Sequence, residues 1–174
     1  MEQIINVTKT LETKPYWLAK GICKNHVSEI EGADILIVPL ENFREQVSYA
    51  FNQGTTQLYA FLQKNTETEA FSVGLCADDE NYSELALHAN YHRIGKIVVT
   101  YIAAPFLVGL LTCYIYDILE AKPNEIVEAS IIVQDSKCQG MKFDFKGNAQ
   151  DFNKLGDDVK KFANICLDSS KKNE

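Results

Sequence analysis

No run of Lys or Arg in this 174-residue chain is longer than two adjacent residues; Lys160–Lys161 and Lys171–Lys172 are the largest, and both sit among acids. With 17 Lys+Arg against 24 Asp+Glu the formal net charge is −7, and the sequence pI is about 5.0. Proteins that bind duplexes gain most of their affinity by neutralising phosphates from a basic surface, so this balance counts against nucleic acid as the partner. A C-x-x-C pair is also missing. The five cysteines, Cys23, Cys76, Cys113, Cys138 and Cys166, are scattered and odd in number, which removes the zinc-ribbon and thioredoxin patterns. Met1 leads straight into Glu2 and a stretch containing Asn and Thr, unlike a signal peptide. Together these features predict a cytoplasmic protein with free thiols, each cysteine serving as a small buried hydrophobe.

The motifs of phosphate and nucleophile chemistry are absent as well. Gly74, Gly95 and Gly109 stand alone, with no G-x-G-x-x-G or P-loop, and there is no G-x-S-x-G; Ser72, Ser83 and Ser130 have no patterned partner. The sequence therefore predicts no cofactor and no catalytic residue, and leans against an enzyme. Neither an internal repeat nor a linker rich in Gly, Pro or Ser divides the chain. It reads as one domain over 1–167, with 168–174 as a disordered polar tail.

What is present is ordinary globular usage, 46% apolar and 24% charged. Ile4, Ile5 and Val7 fit a short first strand. Pro15 fits a helix start, with Trp17, Leu18 and Ile22 on the buried face. Asp34 to Val38 is a short apolar run of the kind buried on both faces of a sheet. Phe43, Val47 and Phe51 recur every four residues and predict a helix, which Gly54 ends. Thr55 or Thr56 is a candidate cap for the next helix, whose apolar stripe is Leu58, Phe61 and Leu62. Phe71 to Ala77 reads as a strand, and Ser83 as the cap of a helix carrying Leu85, Ala86, Leu87 and Ala89.

The strongest pattern comes later. Val127, Ala129, Ile131 and Val133 alternate with Glu128, Ser130, Ile132 and Gln134; Met141, Phe143 and Phe145 alternate with Lys142, Asp144 and Lys146. Period two means one buried and one wet face, and a turn-prone connection joins the two runs into an antiparallel hairpin. Phe152, Leu155, Val159, Phe162 and Cys166 then mark an amphipathic closing helix, in spite of Gly156. The order of elements predicts an α/β fold: a single domain with a mixed sheet and helices on its faces, ending in the hairpin and that helix. An α+β arrangement is the alternative.

Ile97 to Tyr116 holds twenty residues and no charge. That matches the roughly 20 residues of a membrane span. Yet Ile97 to Ile102 is rich in β-branched residues, and Pro105 falls where a helix would begin, so a strand, a turn and a nearly all-apolar helix from Phe106 to Leu119 are favoured. A domain this small has few elements with which to cover such a helix. The leading expectation is thus a small non-catalytic protein that binds another protein or associates with itself as a homo-oligomer, with Phe106, Leu110, Tyr114, Tyr116 and Asp117 at the interface. A membrane-anchored sensor or accessory protein with one span near 97–116 is the first alternative. The second is a metal-binding protein or hydrolase. It rests on Glu84, His88 and His92, which are spaced by four and would share one helix face close to Asp78, Asp79 and Glu80.

Overall fold

The computed structural model describes residues 4–44, 47–86, 91–137 and 139–172. In chain order the elements are β1 (Ile4–Thr10), α1 (Lys14–Ala19), α2 (Val27–Gly32), β2 (Ile35–Val38), β3 (Leu40–Arg44), β4 (Val47–Asn52) and α3 (Thr55–Thr66). They continue with β5 (Val73–Leu75), β6 (Glu84–Leu85), β7 (His92–Thr100), α4 (Ala104–Cys113), β8 (Ile126–Gln134), β9 (Gly140–Asn148) and α5 (Phe152–Lys172). A wider π-helical turn, Tyr114–Ile118, prolongs α4.

Six strands form one mixed sheet in the order β1-β9-β8-β7-β2-β5. The β8–β9 hairpin is the predicted one. Ile131 lies opposite Phe143 and Ala129 opposite Phe145, so the odd-numbered residues share a face. The parallel pairs β7–β8 and β2–β5 are joined through α4 and α3, which makes the architecture α/β. The uncharged stretch is divided between β7, a turn at 101–103 and α4, with Pro105 in the first turn of that helix. Among the described residues no helix is long and apolar enough to cross a membrane, and 97–116 is not one continuous helix.

The two faces of the sheet are covered unequally. On the first, Ile35, Ile97, Ile131, Phe143 and Phe145 pack against α3, α4 and α5 through Leu62, Leu107, Leu111, Phe152, Leu155 and Val159. The α4–α5 crossing is close: a Cβ on Gly156 would stand 2.7 Å from Val108 Cγ1. That proximity accounts for a glycine inside an otherwise well-patterned helix, where propensity alone would disfavour it by about 1 kcal/mol.

On the second face, Leu36, Val38, Val98 and Ile132 pack under Trp17, Ile22 and Ile30 from α1, α2 and their connection. Ile132 is therefore fully buried, and Gln134 nearly so, where the alternation predicted a wet face throughout. Glu12 sits at the margin of this layer. Its carbonyl accepts from Trp17 Nε1 at 3.1 Å, and its carboxylate lies 3.2 Å from Lys96 Nζ and 3.5 Å from Lys142 Nζ. Burial alone would raise the Glu12 carboxyl, but the two ammonium groups outweigh it and hold it below its ordinary value. A depressed carboxyl contributes stability that is fully present above its unfolded value and is lost as pH falls through the folded one. Thermal melts from pH 7 to pH 3 should therefore show wild type above Glu12→Gln at neutral pH, with the gap closing below about pH 4.5, the ordinary carboxyl value. A gap independent of pH would show that the ion pairs contribute nothing.

Four expectations are corrected. The segment around Phe43, Val47 and Phe51 is the antiparallel β3–β4 pair rather than a helix. Ser83 precedes not a helix but β6, which pairs with β4 in a second, three-stranded sheet. The strand predicted over 71–77 is confined to β5. The tail predicted over 168–174 continues α5 to Lys172, with Lys171 and Lys172 in the last turn, where positive charge suits the helix dipole.

Candidate functional site

The two sheets meet where β4 ends and β7 begins, and a cleft opens there. Asn52 closes β4 and is 6% exposed. Gly54, in the left-handed region at φ 90°, then turns the chain so that α3 starts at the cleft wall. Arg93 comes from the second position of β7. The β7–β8 register slips between Arg93 and Gly95, where Gly95 has φ 97°. A Cβ at Gly95 would lie 3.0 Å from Asn52 Nδ2, so the bulge and the missing side chain together let Asn52 lie against β7.

Two cavities share Asn52 and Arg93 in their walls. The first, of about 430 Å³, runs past the N-terminus of α3 and is lined by Gln53, Thr55, Gln57, Tyr91, His92 and Tyr114, among others. The second, of about 350 Å³, lies over the uncovered part of the second sheet face and is lined by Asn6, Glu128, Ser130, Asp144 and Lys146. Both volumes fall within the roughly 300–1,000 Å³ of small-molecule sites. A larger depression, about 580 Å³, lies at the other end of the molecule between the hairpin tip and α5. The cleft differs from it in one respect. Asn52 Oδ1 and Arg93 Nε are the two buried side-chain polar atoms without a hydrogen-bond partner among the described residues, and both belong to the cleft.

The electrostatics of the first cavity are one-sided. In a chain of net charge −7, its lining among the described residues contains Arg93 and His92 and no carboxylate. Gly54 at the start of α3 has no side chain with which to cap the helix, and the Thr55 hydroxyl donates back to the Asn52 carbonyl at 2.7 Å. Two carboxylates bonded to residues of this lining or of α3 are already engaged. Glu84 accepts from the Tyr82 hydroxyl and stands 3.5 Å from the Thr56 amide. Glu125 lies 2.8 Å from His92 Nε2 and 3.0 Å from the Lys122 amide; the bond to His92 is the main reason that its carboxyl is held below the ordinary value. Arg93 Nη2 donates to the Tyr91 hydroxyl, and Lys146 Nζ lies 5.0 Å above the Tyr91 ring. This is a polar, cation-bearing wall with a helix N-terminus, the surroundings in which anions bind.

The residues proposed from sequence are dispersed. Glu84 lies on β6 and His92 on β7 beside Glu125, so they do not share a helix face; His88 lies outside the described residues. Asp78 accepts from the Lys24 and Asn25 amides, and among the described residues no group of three or more His, Cys, Asp and Glu could hold a metal. Of the proposed interface residues, Tyr114 points inward, 3% exposed, with its ring 5.2 Å from that of Phe61. Phe106 and Leu110 are half-buried, while Tyr116 and Asp117 are exposed. Arg93 and Asn52 did not stand out in the sequence. Comparison with known proteins returns no matching family model, no curated relative and no matching solved structure.

Proposed function

We propose that this is a binding protein rather than a catalyst, and that its cleft takes a small ligand bearing an anionic group, phosphate or carboxylate. One observation carries the reading: among the described residues, Arg93 Nε and Asn52 Oδ1 are buried without partners in the wall of a cavity that has no carboxylate in its lining. A buried polar group left unpaired costs about 1–3 kcal/mol, which a ligand completing its bonds recovers. Arg93 Nε supplies a donor for the anion, Asn52 Oδ1 accepts from a hydroxyl or amine elsewhere on the ligand, and Tyr91, Leu58 and Leu85 supply contact surface.

Thermal shift with sodium phosphate and sodium acetate, against sodium chloride at equal ionic strength and against glycerol, tests this. A ligand that binds only the native state raises the melting temperature as its concentration passes Kd. Arg93→Met is expected to weaken anion binding by about tenfold to a hundredfold, the value of one charge-assisted hydrogen bond. Lys160→Met, the same charge change on the exposed side of α5, should leave it intact. No shift with either anion, or equal behaviour of the two variants, would reject the reading.

Self-association remains the second proposal, supported by a different observation. Between Ile102, 61% exposed, and Tyr116, 39% exposed, the outward side of α4 carries Gly109 and Cys113 and no charge. A two-fold pairing of this stripe would cover it. Sedimentation equilibrium at micromolar concentration should then give a dimer that Ile102→Glu dissociates. A clean 19.6 kDa species would discard this second proposal.

A further inference from the structure

On the second face of the sheet, away from the cleft, two thiols meet. Cys23 lies in the connection between α1 and α2, and Cys76 directly follows β5. Their Sγ atoms are 3.3 Å apart, although 53 residues separate them in the chain. Both are free, and they are 1% and 0% exposed. The surrounding backbone is pinned. Asp78 accepts from the Lys24 and Asn25 amides at 3.1 Å each, its own amide donates to the Ile22 carbonyl at 3.0 Å, and the Cys76 amide donates to the Ile37 carbonyl at 2.8 Å. Disulfide sulfurs sit about 2.05 Å apart. Closing the remaining gap needs roughly an ångström, divided between two side chains whose backbones are already placed.

We propose that Cys23 and Cys76 are a covalent modification site: a dithiol that a small dialkyl disulfide oxidises to an intramolecular disulfide, fastening the α1–α2 connection to the end of β5. The Cys23 thiolate attacks one sulfur of the reagent, forming a mixed disulfide and releasing one thiolate. The Cys76 thiolate then attacks Cys23 Sγ and displaces the second. The two protons lost by the cysteines leave with the two released thiols, and two electrons pass to the reagent. Cys23 is the entry point because it lies on an irregular connection, whereas Cys76 is enclosed at a strand end. Burial raises both thiols, Cys76 far more, so reaction proceeds through local opening of the α1–α2 layer and is slow in the closed molecule. This device is independent of the proposed cleft ligand.

Incubation of the native protein with cystamine, followed by alkylation in denaturant and peptide mapping, decides the matter. The expected product is an intramolecular Cys23–Cys76 cross-link, in which that pair of peptides together has lost two hydrogens. The melting temperature of the cross-linked protein should be raised, and a reductant should restore the original value. The triple variant Cys113→Ser, Cys138→Ser, Cys166→Ser should give the same product, since only the pair remains. Adding Cys76→Ser to that background should stop the reaction at the mixed disulfide on Cys23. If that variant fails to fold, the wild-type peptide map decides alone. Full alkylation of Cys23 and Cys76 after the other thiols have been oxidised, or a cross-link that forms only in denaturant, would overturn the proposal.

Discussion

Phe143→Ala is expected to lower the unfolding free energy by about 3–5 kcal/mol, and its neighbour Lys142→Ala by no more than about 1 kcal/mol. The contrast follows from the register of β9. Phe143 is 2% exposed, lies opposite Val7 on β1 and Ile131 on β8, and has its ring 6.0 Å from that of Phe162 on α5. Truncation removes a large apolar side chain from a site enclosed by three elements and leaves a cavity that rigid strands cannot collapse. Lys142 points to the other face, and its ion pair with Glu12, at 3.5 Å, is partly open to solvent. Urea denaturation measures both from midpoints at constant slope. Equal losses would mean that the strand is displaced by one residue, because a slip of one exchanges every inward side chain for an outward one.

That hairpin was legible because alternation over nine residues is a pattern only a strand satisfies. The closing helix was equally clear, and the division of the uncharged stretch followed from Pro105 and the β-branched run. The misreading of Phe43, Val47 and Phe51 has a simple cause. Residues four apart share a face in a helix and also in a strand, so a spacing of four cannot separate the two without intervening residues that break the tie. Leu85 and its neighbours were ambiguous in the same way. The burial of Ile132 and Gln134 was hidden because a helical layer covers only part of the second face, and nothing local to β8 records that.

The cleft was not readable at all. Asn52 and Arg93 are ordinary polar residues distant in sequence, and their significance is one buried side-chain atom each, Oδ1 and Nε, left unpaired among the described residues, which emerges only once burial and pairing are known. His92 was singled out for a helical spacing from Glu84, whereas both residues lie on strands; its partner, Glu125, immediately precedes β8. Cys76 was read as a small buried hydrophobe, whereas sheet pairing and the α1–α2 connection bring it to Cys23. Tyr114 was counted as interface because the helix is apolar on every side, but α3 supplies the cover on that side through Phe61.

Trp17→Ala is the most informative test of the second layer. Trp17 is the chain's single tryptophan and is 0% exposed. It packs with Leu36, Val38, Val98 and Ile132 of the sheet, and its Nε1 donates to the Glu12 carbonyl at 3.1 Å. Truncation to alanine should cost about 3–5 kcal/mol, from lost burial, residual cavity and the unpaired carbonyl together. For a chain of this length, that corresponds to a fall in melting temperature of about 6–20 °C. Phe in the same place keeps most of the volume but not the hydrogen bond, so Trp17→Phe should fall between the two. The shape of the transition carries as much weight as its midpoint. Leu36 and Val98 alternate along β2 and β7 with Ile35, Ile37, Ile97 and Val99, which face the first core, so the two cores share the same strands. Loosening one face therefore loosens the strands that hold the other, and Trp17→Ala should melt in a single, earlier transition by near-UV and far-UV circular dichroism alike. An unchanged main transition preceded by a separate early one would show instead that α1 and α2 form a flap resting on a core that is complete without them.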